Sequence, residues 1–236
     1  MKLPPITIVS PVFIPQTEGG WSRMMGAKQS VISWGRHLRY ADGLRLHLVN
    51  DSVDVPEVEV AKIVPYSPFE TVISHTHGRG LGAALNEGVR AGLAVSPLVF
   101  VVDDSYSLVA DLDLTPWAMT LMQHEEIGAL GLMPPFRGQT GGDVKYIDDI
   151  RTEGLVLIEF HRHAFAWNGR PALYHGRWFD AYGWFLEGVT GNEEEVDYAG
   201  RYVNTPGPPI LYAFLDPWQH VWSGVRLGDK PPGWRG

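Results

Sequence analysis

Short apolar runs separated by polar or turn residues recur through the first two thirds of the chain. Their β-branched and leucine-rich composition, with period-two alternation in the second run, predicts strands. The predicted strands cover residues 6–10, 44–49, 58–64, 98–102 and 127–132. The run at 98–102 has no polar position, which is typical of a strand buried on both faces.

Between these runs, apolar residues recur at helical spacing. This spacing predicts helices over about 20–39, 80–94 and 115–126, and a further helix over 193–204. Thr115 followed by Pro116 is typical of a helix start with Thr115 as the N-cap, and Asn192 is the predicted N-cap of the last helix. The alternation predicts an α/β fold, a mainly parallel twisted sheet with helices on both faces.

The second half of the chain is more irregular. A glycine-containing loop is predicted over 134–153, followed by strands over 155–165 and 210–214. The 236 residues are 44% hydrophobic, which suffices for one sizeable core, and no repeat or linker interrupts them. We therefore expect a single domain over 1–236, with a regular first half (1–110) and an irregular second half (111–236).

Composition excludes several classes of function. The formal net charge of −8 disfavours nucleic acid as a partner, because an acidic chain gains nothing from counterion release. The absence of cysteine excludes disulfides and thiolate chemistry. The N-terminus does not have the pattern of a signal peptide, and the longest apolar run is too short to cross a bilayer. The sequence predicts a cytoplasmic protein without a membrane span.

Acidic residues follow two of the predicted strands. Asp51 comes after the run at 44–49, and Asp103 and Asp104 directly follow the run at 98–102. The carboxyl ends of parallel strands share one rim of a sheet, where carboxylates can hold a divalent cation that neutralises a diphosphate. An aspartate after a strand can equally cap a turn, and for Asp51 alone that alternative is the stronger. Adjacent acids such as Asp103 and Asp104 repel each other unless a cation or a hydrogen-bond network compensates.

A glycine-rich helix start lies between these acids, over residues 77–88. Gly80 would allow a nucleotide to approach closely, and Arg79 can pair with phosphate or stack on a base. The pattern differs from a dinucleotide fingerprint, because it does not follow the first strand and lacks the full spacing.

In their order, these motifs resemble those of family-2-like glycosyltransferases with the GT-A fold. The matching elements are Ser10-Pro11-Val12, Asn50-Asp51-Ser52, the glycine-rich helix start Gly80–Gly88, Asp103-Asp104-Ser105 at the D-x-D position, the acidic helix start Glu194–Arg201, and the late histidine His220. The resemblance covers roughly residues 6–222.

The resemblance implies transfer of a sugar from a nucleoside diphosphate sugar, here a UDP sugar, to an acceptor hydroxyl, with Mn²⁺ or Mg²⁺ as cofactor. The first half would bind the donor and the second half the acceptor. By the same resemblance, the donor contacts are Pro11, Val12, Asp51, Arg79, Gly80, Asn86 and Asp103. The implied metal ligands are Asp103, Asp104 and His220, and Glu195 takes the position of the catalytic base.

Three departures from the family pattern leave alternatives open. Ser105 replaces the second aspartate of D-x-D, Asn50 replaces the first acid of its element, and Glu195 replaces an aspartate. A nucleotide-sugar binding module without turnover therefore stays open. So does a nucleotidyltransferase, although residues 11–16 lack the basic, glycine-rich loop that such enzymes carry there.

Several of the candidate residues also have a purely structural interpretation. Glu195 would fit a capping box with Asn192, and His220 would pack among neighbouring tryptophans. Asp197 and Arg201 are expected to form a surface pair one helical turn apart. The loop at 134–153 and the chain after residue 216 are candidates to close over a bound donor.

Overall fold

The computed structural model of the chain describes residues 2–15, 18–53, 55, 57–132, 150–152, 155–159, 171–189, 191–213 and 217–220. The strands are β1 Ile6–Val12, β2 Leu38–Arg39, β3 Leu44–Asn50, β4 Glu70–His75, β5 Leu98–Val101, β6 Tyr106–Leu108, β7 Leu112–Asp113, β8 Ala129–Gly131, β9 Ile150–Thr152, β10 Leu155–Glu159, β11 Ala172–His175, β12 Ile210–Ala213 and β13 Trp218–His220. The helices are α1 Glu18–His37, α2 Glu57–Ala61, α3 Leu81–Leu93, α4 Thr115–Gln123, α5 Gly176–Tyr182 and α6 Gly191–Asn204, and Val64–Tyr66 forms a single 3₁₀ turn.

Nine of these strands form one sheet in the order β4-β3-β1-β5-β11-β8-β12-β10-β9. The first four strands are all parallel, with Ile6 opposite Leu44 and Thr7 opposite Val99. Beyond β5 the sheet is mixed, because β11 is antiparallel to both of its neighbours while β8 and β12 are parallel to each other. The carboxyl ends of four neighbouring parallel strands therefore share one rim.

Each face of the sheet is covered by helices over its own apolar core. On one face, Trp34 of α1, Val60 of α2 and Trp117 of α4 pack in a cluster with Ile8 and Leu46. On the other face, α3, α5 and α6 contribute buried side chains, several of them aromatic. Within the described residues, no helix combines the length and the apolar character that a membrane span requires.

The structure confirms the predicted α/β fold. The predicted elements found within three residues of their bounds at either end include β1, β3, β5, α1, α3, α4 and α6. The predicted strand at 127–132 is found as the shorter β8, 155–165 as β10 over the residues described there, and 210–214 as β12.

The strand predicted at 58–64 is wrong, since these residues form α2 and the start of the 3₁₀ turn. Val60 and Ile63, three residues apart, are buried, whereas Val58 is exposed. This spacing of buried residues is that of a helix and not the alternation of a strand. Lys62 donates to Glu59 Oε1 at 2.6 Å across one turn. The third parallel strand is β4 at the sheet edge, whose apolar pattern is weak because only Val72 and Ile73 of its six residues are apolar.

Both predicted N-caps are wrong by one or more positions. The N-cap of α4 is Leu114, and the side chain that serves the first turn is Asp113, whose Oδ1 accepts from Thr115 N at 2.8 Å. Helix α6 begins at Gly191, so Asn192 lies inside its first turn rather than at the N-cap position.

Several short elements were not predicted. They are β2, β6, β7, β9, β11, β13 and α5. Strand β9 corrects the end of the predicted loop, since Ile150–Thr152 pairs antiparallel with β10. The rest of that loop, residues 160–165 and the chain after residue 220 lie outside the described residues.

Candidate functional site

The rim formed by the carboxyl ends of β1, β3, β4 and β5 contains a topological switch point. From β1 the chain proceeds outward to β3 and β4, then returns to the other side of β1 as β5. The crevice outside such a reversal is where open α/β sheets bind ligands. Pro11 and Val12 end β1 on one side of this crevice as buried strand residues, and Asp103 and Asp104 follow β5 on the other.

The acid pair after β5 is held in a tight turn. Asp103 Oδ1 accepts from Ser105 N at 2.8 Å, while Asp104 is only 4% exposed and its Oδ2 has no hydrogen-bond partner. Burial raises the pKa of Asp104 well above its usual range; the field of Arg23 opposes that rise and the charge of Asp103 adds to it. A buried carboxylate oxygen without a partner suits a cation or a strong donor supplied by a ligand.

Arg23 is a component of this rim that the sequence did not single out. It lies in α1, its Nε donates to Phe13 O at 3.1 Å just beyond β1, and its charge reaches Asp104. The signal was available as the first basic residue of the helix that follows β1. Arg23 therefore brings positive charge to the switch point beside the acid pair.

Asp51 uses its carboxylate inside the protein. It is 8% exposed, and its Oδ1 accepts from Thr76 Oγ1 at 2.6 Å. Both carboxylate oxygens also lie within 3.2 Å of Gly80 N. Asp51 thus fixes the loop between β4 and α3, in which His77 has a φ of 55° and Gly80 a φ of 95°.

Two histidines lie at the start of this loop, His75 as the last residue of β4 and His77 within the loop. Asn50 Nδ2 donates to His75 Nδ1 at 3.0 Å, and the rings of His75 and His77 are stacked with their centroids 5.8 Å apart. Asn50 Oδ1 accepts from Ser52 N at 3.0 Å, so Asn50 organises the end of β3.

The glycine-rich start of α3 packs against residues 183–189, which are called the 183–189 segment below. A Cβ built on Gly82 would lie 2.0 Å from the Leu186 carbonyl oxygen, so this position admits no side chain. Asn86 Nδ2 donates to Phe185 O and Asn86 Oδ1 accepts from Phe185 N, both at 2.9 Å. Gly188 N donates to Arg79 O at 3.0 Å. Gly80, Gly82 and Asn86 therefore hold protein backbone in this structure.

Glu187 of this segment interacts with basic side chains of α3 and of the loop that precedes α3. Its carboxylate pairs with Arg79, accepts from Asn86 Nδ2 at 2.8 Å and lies 3.9 Å from Arg90 Nη1. The Asn86 hydrogen bond lowers the pKa of Glu187, and the two arginines lower it further while burial opposes them. Arg79, a predicted phosphate contact, thus has an internal anionic partner, which the sequence did not indicate.

The acidic start of α6 follows the same segment. Glu193 is exposed, Glu195 is half-buried, and Glu194 is 0% exposed with no partner for either carboxylate oxygen. Burial raises the pKa of Glu194 to about 8, and the charge of Glu195 adds to the rise. The predicted Asp197–Arg201 pair is present, with Arg201 Nη2 2.5 Å from Asp197 Oδ2.

The burial of Glu194 could have been predicted from helical spacing. Glu194, Tyr198 and Tyr202 occur at four-residue intervals, and the three side chains are at most 1% exposed. They form the buried stripe of α6, and Glu195 lies beside that stripe.

The remaining metal candidate, His220, lies in β13. Its backbone is opposite Tyr106 in the pairing of β13 with β6, two residues beyond Asp104. Its side chain lies outside the described residues. Among the side chains that the structure describes, no three of His, Asp or Glu converge to hold a metal ion.

The fold, but not the sequence, matches proteins of known structure. No family model matches the chain, and a comparison with curated proteins finds no match. TarS of S. aureus matches with a TM-score of 0.56 and 16% identity over 90% of this chain and 37% of its own. GalNAc-T7, solved with UDP, GalNAc and Mn²⁺, matches with a TM-score of 0.56 and 12% identity over 89% and 42%.

A third match is the mannosyltransferase PcManGT from Pyrobaculum calidifontis, in complex with GDP-Man and Mn²⁺. Its TM-score is 0.53, with 14% identity over 89% of this chain and 56% of its own. This chain thus spans well under two thirds of the length of each of these proteins. The structure has a GT-A-like fold.

Proposed function

We propose that this protein transfers a glycosyl unit from a nucleoside diphosphate sugar, UDP-linked, to an acceptor hydroxyl. The observation that carries the proposal is the acid pair Asp103-Asp104 at the switch point of a GT-A-like sheet. Two proteins of the same fold were solved with a nucleotide and Mn²⁺, namely GalNAc-T7 with UDP and PcManGT with GDP-Man.

The residues at the switch point fit a hard divalent cation, Mn²⁺ or Mg²⁺. Asp104 has a buried carboxylate oxygen without a partner, and Asp103 is the residue before it. The backbone of His220 lies opposite Tyr106, which is two residues after Asp104. Such cations take much of their coordination shell from waters and substrate phosphates, so a few protein ligands suffice. The bound ion would offset the negative charge that develops on the leaving diphosphate.

Donor binding is proposed to use the rim around this acid pair. Arg23 is the basic group whose charge already reaches Asp104, which suits it to a phosphate oxygen. Pro11 and Val12 would form the floor of the crevice. Asp51, Gly80 and Asn86 are proposed to act through the loop and helix start that they hold. Arg79 would reach the donor by leaving Glu187.

Glu195 is the proposed general base for the acceptor hydroxyl. It is half-buried in the first turn of α6, whereas its neighbour Glu194 is sealed off from solvent. A base must come within hydrogen-bond reach of the proton that it takes, and this requirement favours Glu195 over Glu194.

The proposal is tested by metal-linked nucleotide binding. UDP and GDP are titrated calorimetrically into the protein in Mn²⁺ and in EDTA, for wild type, Asp103→Asn, Asp104→Asn and the control Asp111→Asn. Asp111 is an exposed acid that pairs with His37 on the surface. We expect at least tenfold tighter binding of UDP with Mn²⁺ in wild type and in the control, and loss of that gain in the other two variants. Equal affinity with and without metal in wild type would contradict the proposal.

A second candidate, a nucleotide-sugar binding module without turnover, is favoured by Ser105 at the position of the second family aspartate. A hydroxyl is a weaker ligand for a hard cation than a carboxylate. An assay of UDP-sugar hydrolysis in Mn²⁺ separates the two candidates, with the release of UDP as the measured signal. Metal-dependent binding without any release of UDP would favour the binding module.

A further inference from the structure

Glu194 is a buried acid that the proposed reaction does not use directly. Its side chain is 0% exposed, and neither Oε1 nor Oε2 has a hydrogen-bond partner. An ionised carboxylate in such a place is strongly disfavoured, so burial favours the neutral form of Glu194.

Glu194 lies where three parts of the chain meet. It is in the first turn of α6, and its Cδ is 3.3 Å from the position that a Cβ on Gly82 of α3 would occupy. The Leu186 carbonyl of the 183–189 segment approaches the same glycine. The carboxyl group of Glu194 therefore packs directly on the start of α3, in space that exists because Gly82 has no side chain.

The charged groups around Glu194 favour its neutral form. Burial has the largest effect on its pKa, Glu195 and Asp197 add to the rise, and Arg201 opposes it. The Arg201 guanidinium is already engaged, since it pairs with Asp197 and its Nη1 donates to the carbonyls of Tyr182 and Trp184 at 2.7 and 2.8 Å. Among the described residues, a further titratable neighbour is the Tyr198 phenol, whose pKa burial also raises, and Gly82 and Leu186 carry no charge.

We propose that Glu194 is a positioning residue that seats the first turn of α6 on Gly82 only while it carries its proton. Loss of the proton places a charge against the start of α3 and releases this turn. Since Glu195 is the next residue, its position depends on the seating; this last step rests on the proposed function.

The expected pH dependence has a definite sign. An acid whose pKa rises from 4.5 to about 8 on folding binds its proton more tightly in the folded state. The free energy of unfolding therefore falls as pH rises through this interval and stays level above it. The first turn of α6 should be docked at pH 6.5 and open more often at pH 9.

Hydrogen exchange measured by mass spectrometry tests the proposal, with protection factors corrected for the intrinsic pH dependence of exchange. The variants are Glu194→Gln and Glu194→Met, which are neutral and similar in length, and the control is Glu193→Gln at the exposed neighbour. In wild type and in the control, we expect protection of residues 192–199 to fall at least tenfold between pH 6.5 and pH 9. In the two Glu194 variants it should change less than twofold.

Three results would overturn the proposal. The first is that wild type is equally protected at both pH values. The second is that both Glu194 variants lose as much protection as wild type. The third is that both neutral variants fail to fold at pH 6.5. If the protein hydrolyses UDP sugars, Glu194→Gln should also extend activity to higher pH without changing the affinity for UDP. Absence of turnover in every variant would count against the proposed function and leave the exchange result intact.

Discussion

At the level of single residues, acidic side chains that carry the same carboxyl group have different environments in this protein. Asp51 is buried and accepts hydrogen bonds at both oxygens, whereas one oxygen of Asp104 and both oxygens of Glu194 are buried without a partner. Burial without donors raises the pKa of a carboxyl group, as it does for Asp104 and Glu194. These environments distinguish Asp51, whose hydrogen bonds hold a loop, from Asp104 and Glu194, whose buried carboxyl groups have unpartnered oxygens.

Asp51→Ala should destabilise the protein and weaken nucleotide binding together. Removal of the carboxylate leaves Thr76 Oγ1 and Gly80 N without an acceptor, at a cost of about 1–3 kcal/mol. Urea unfolding and calorimetric titration of UDP measure the two effects. The control is Asp113→Ala, which removes one exposed acceptor of a backbone N–H and should cost less. A fully stable Asp51→Ala protein would contradict the internal role that the hydrogen bonds assign to Asp51.

Glu195→Gln should lower turnover by about a hundredfold or more, the usual contribution of a positioned base. The affinity for the donor should hardly change, because a base acts on the acceptor in the transition state. Initial rates and UDP titrations measure these quantities, with the exposed Glu193→Gln as control. Turnover near the wild-type rate would remove Glu195 from the mechanism.

At the scale of elements, α3 and α6 are joined through the 183–189 segment. The motif that resembles a nucleotide-binding helix start is occupied by backbone of that segment, and the segment leads directly into the acidic turn of α6. This arrangement connects the end of the sheet where a donor is proposed to bind with the proposed catalytic base.

Gly82→Ala should therefore destabilise the protein by about 1–3 kcal/mol, in the range of an overpacked core position. The new methyl group would overlap the Leu186 carbonyl, which is backbone and has little freedom to move. Thermal or urea unfolding measures the change.

The matched control is Gly200→Ala, also in a helix but with no atom within 4 Å of the added methyl group. Its helix propensity should stabilise the protein by about 0.5–1 kcal/mol. Equal effects of the two substitutions would show that the contact of Gly82 with the 183–189 segment is not tight.

At the scale of the whole molecule, the sequence was informative wherever apolar burial is local and regular. The continuous run of β5 and the helical spacing of α1 and α3 suffice to predict an α/β fold. Short strands such as β6 and β11 were missed because two to four residues carry no period. The segment at 58–64 was predicted as a strand because it contains three valines and an isoleucine, which are typical of strands. The three-residue interval between the buried Val60 and Ile63, which indicates a helical turn, was given less weight.

The same difference between local and long-range information applies to the residues of the candidate site. The positions of Asp51 and Asp103 follow from where strands end, which the sequence indicates. The pairing of Arg79 with Glu187 joins residues 108 positions apart, and no local pattern predicts such a contact. The engagement of Asn86 with Phe185, 99 positions away, is hidden for the same reason.

The central position of β11 has a consequence for how the chain acquires its structure during synthesis. Strand β5 closes the parallel part of the sheet, but the strand that covers its free edge begins at Ala172. Until the ribosome has produced that segment, the backbone donors and acceptors on the outer edge of Leu98–Val101, away from β1, have no partner. Exposed apolar edges of this kind promote association between chains. A fragment that stops near residue 110 would keep this edge open permanently. We therefore expect it to aggregate, although it contains all four parallel strands.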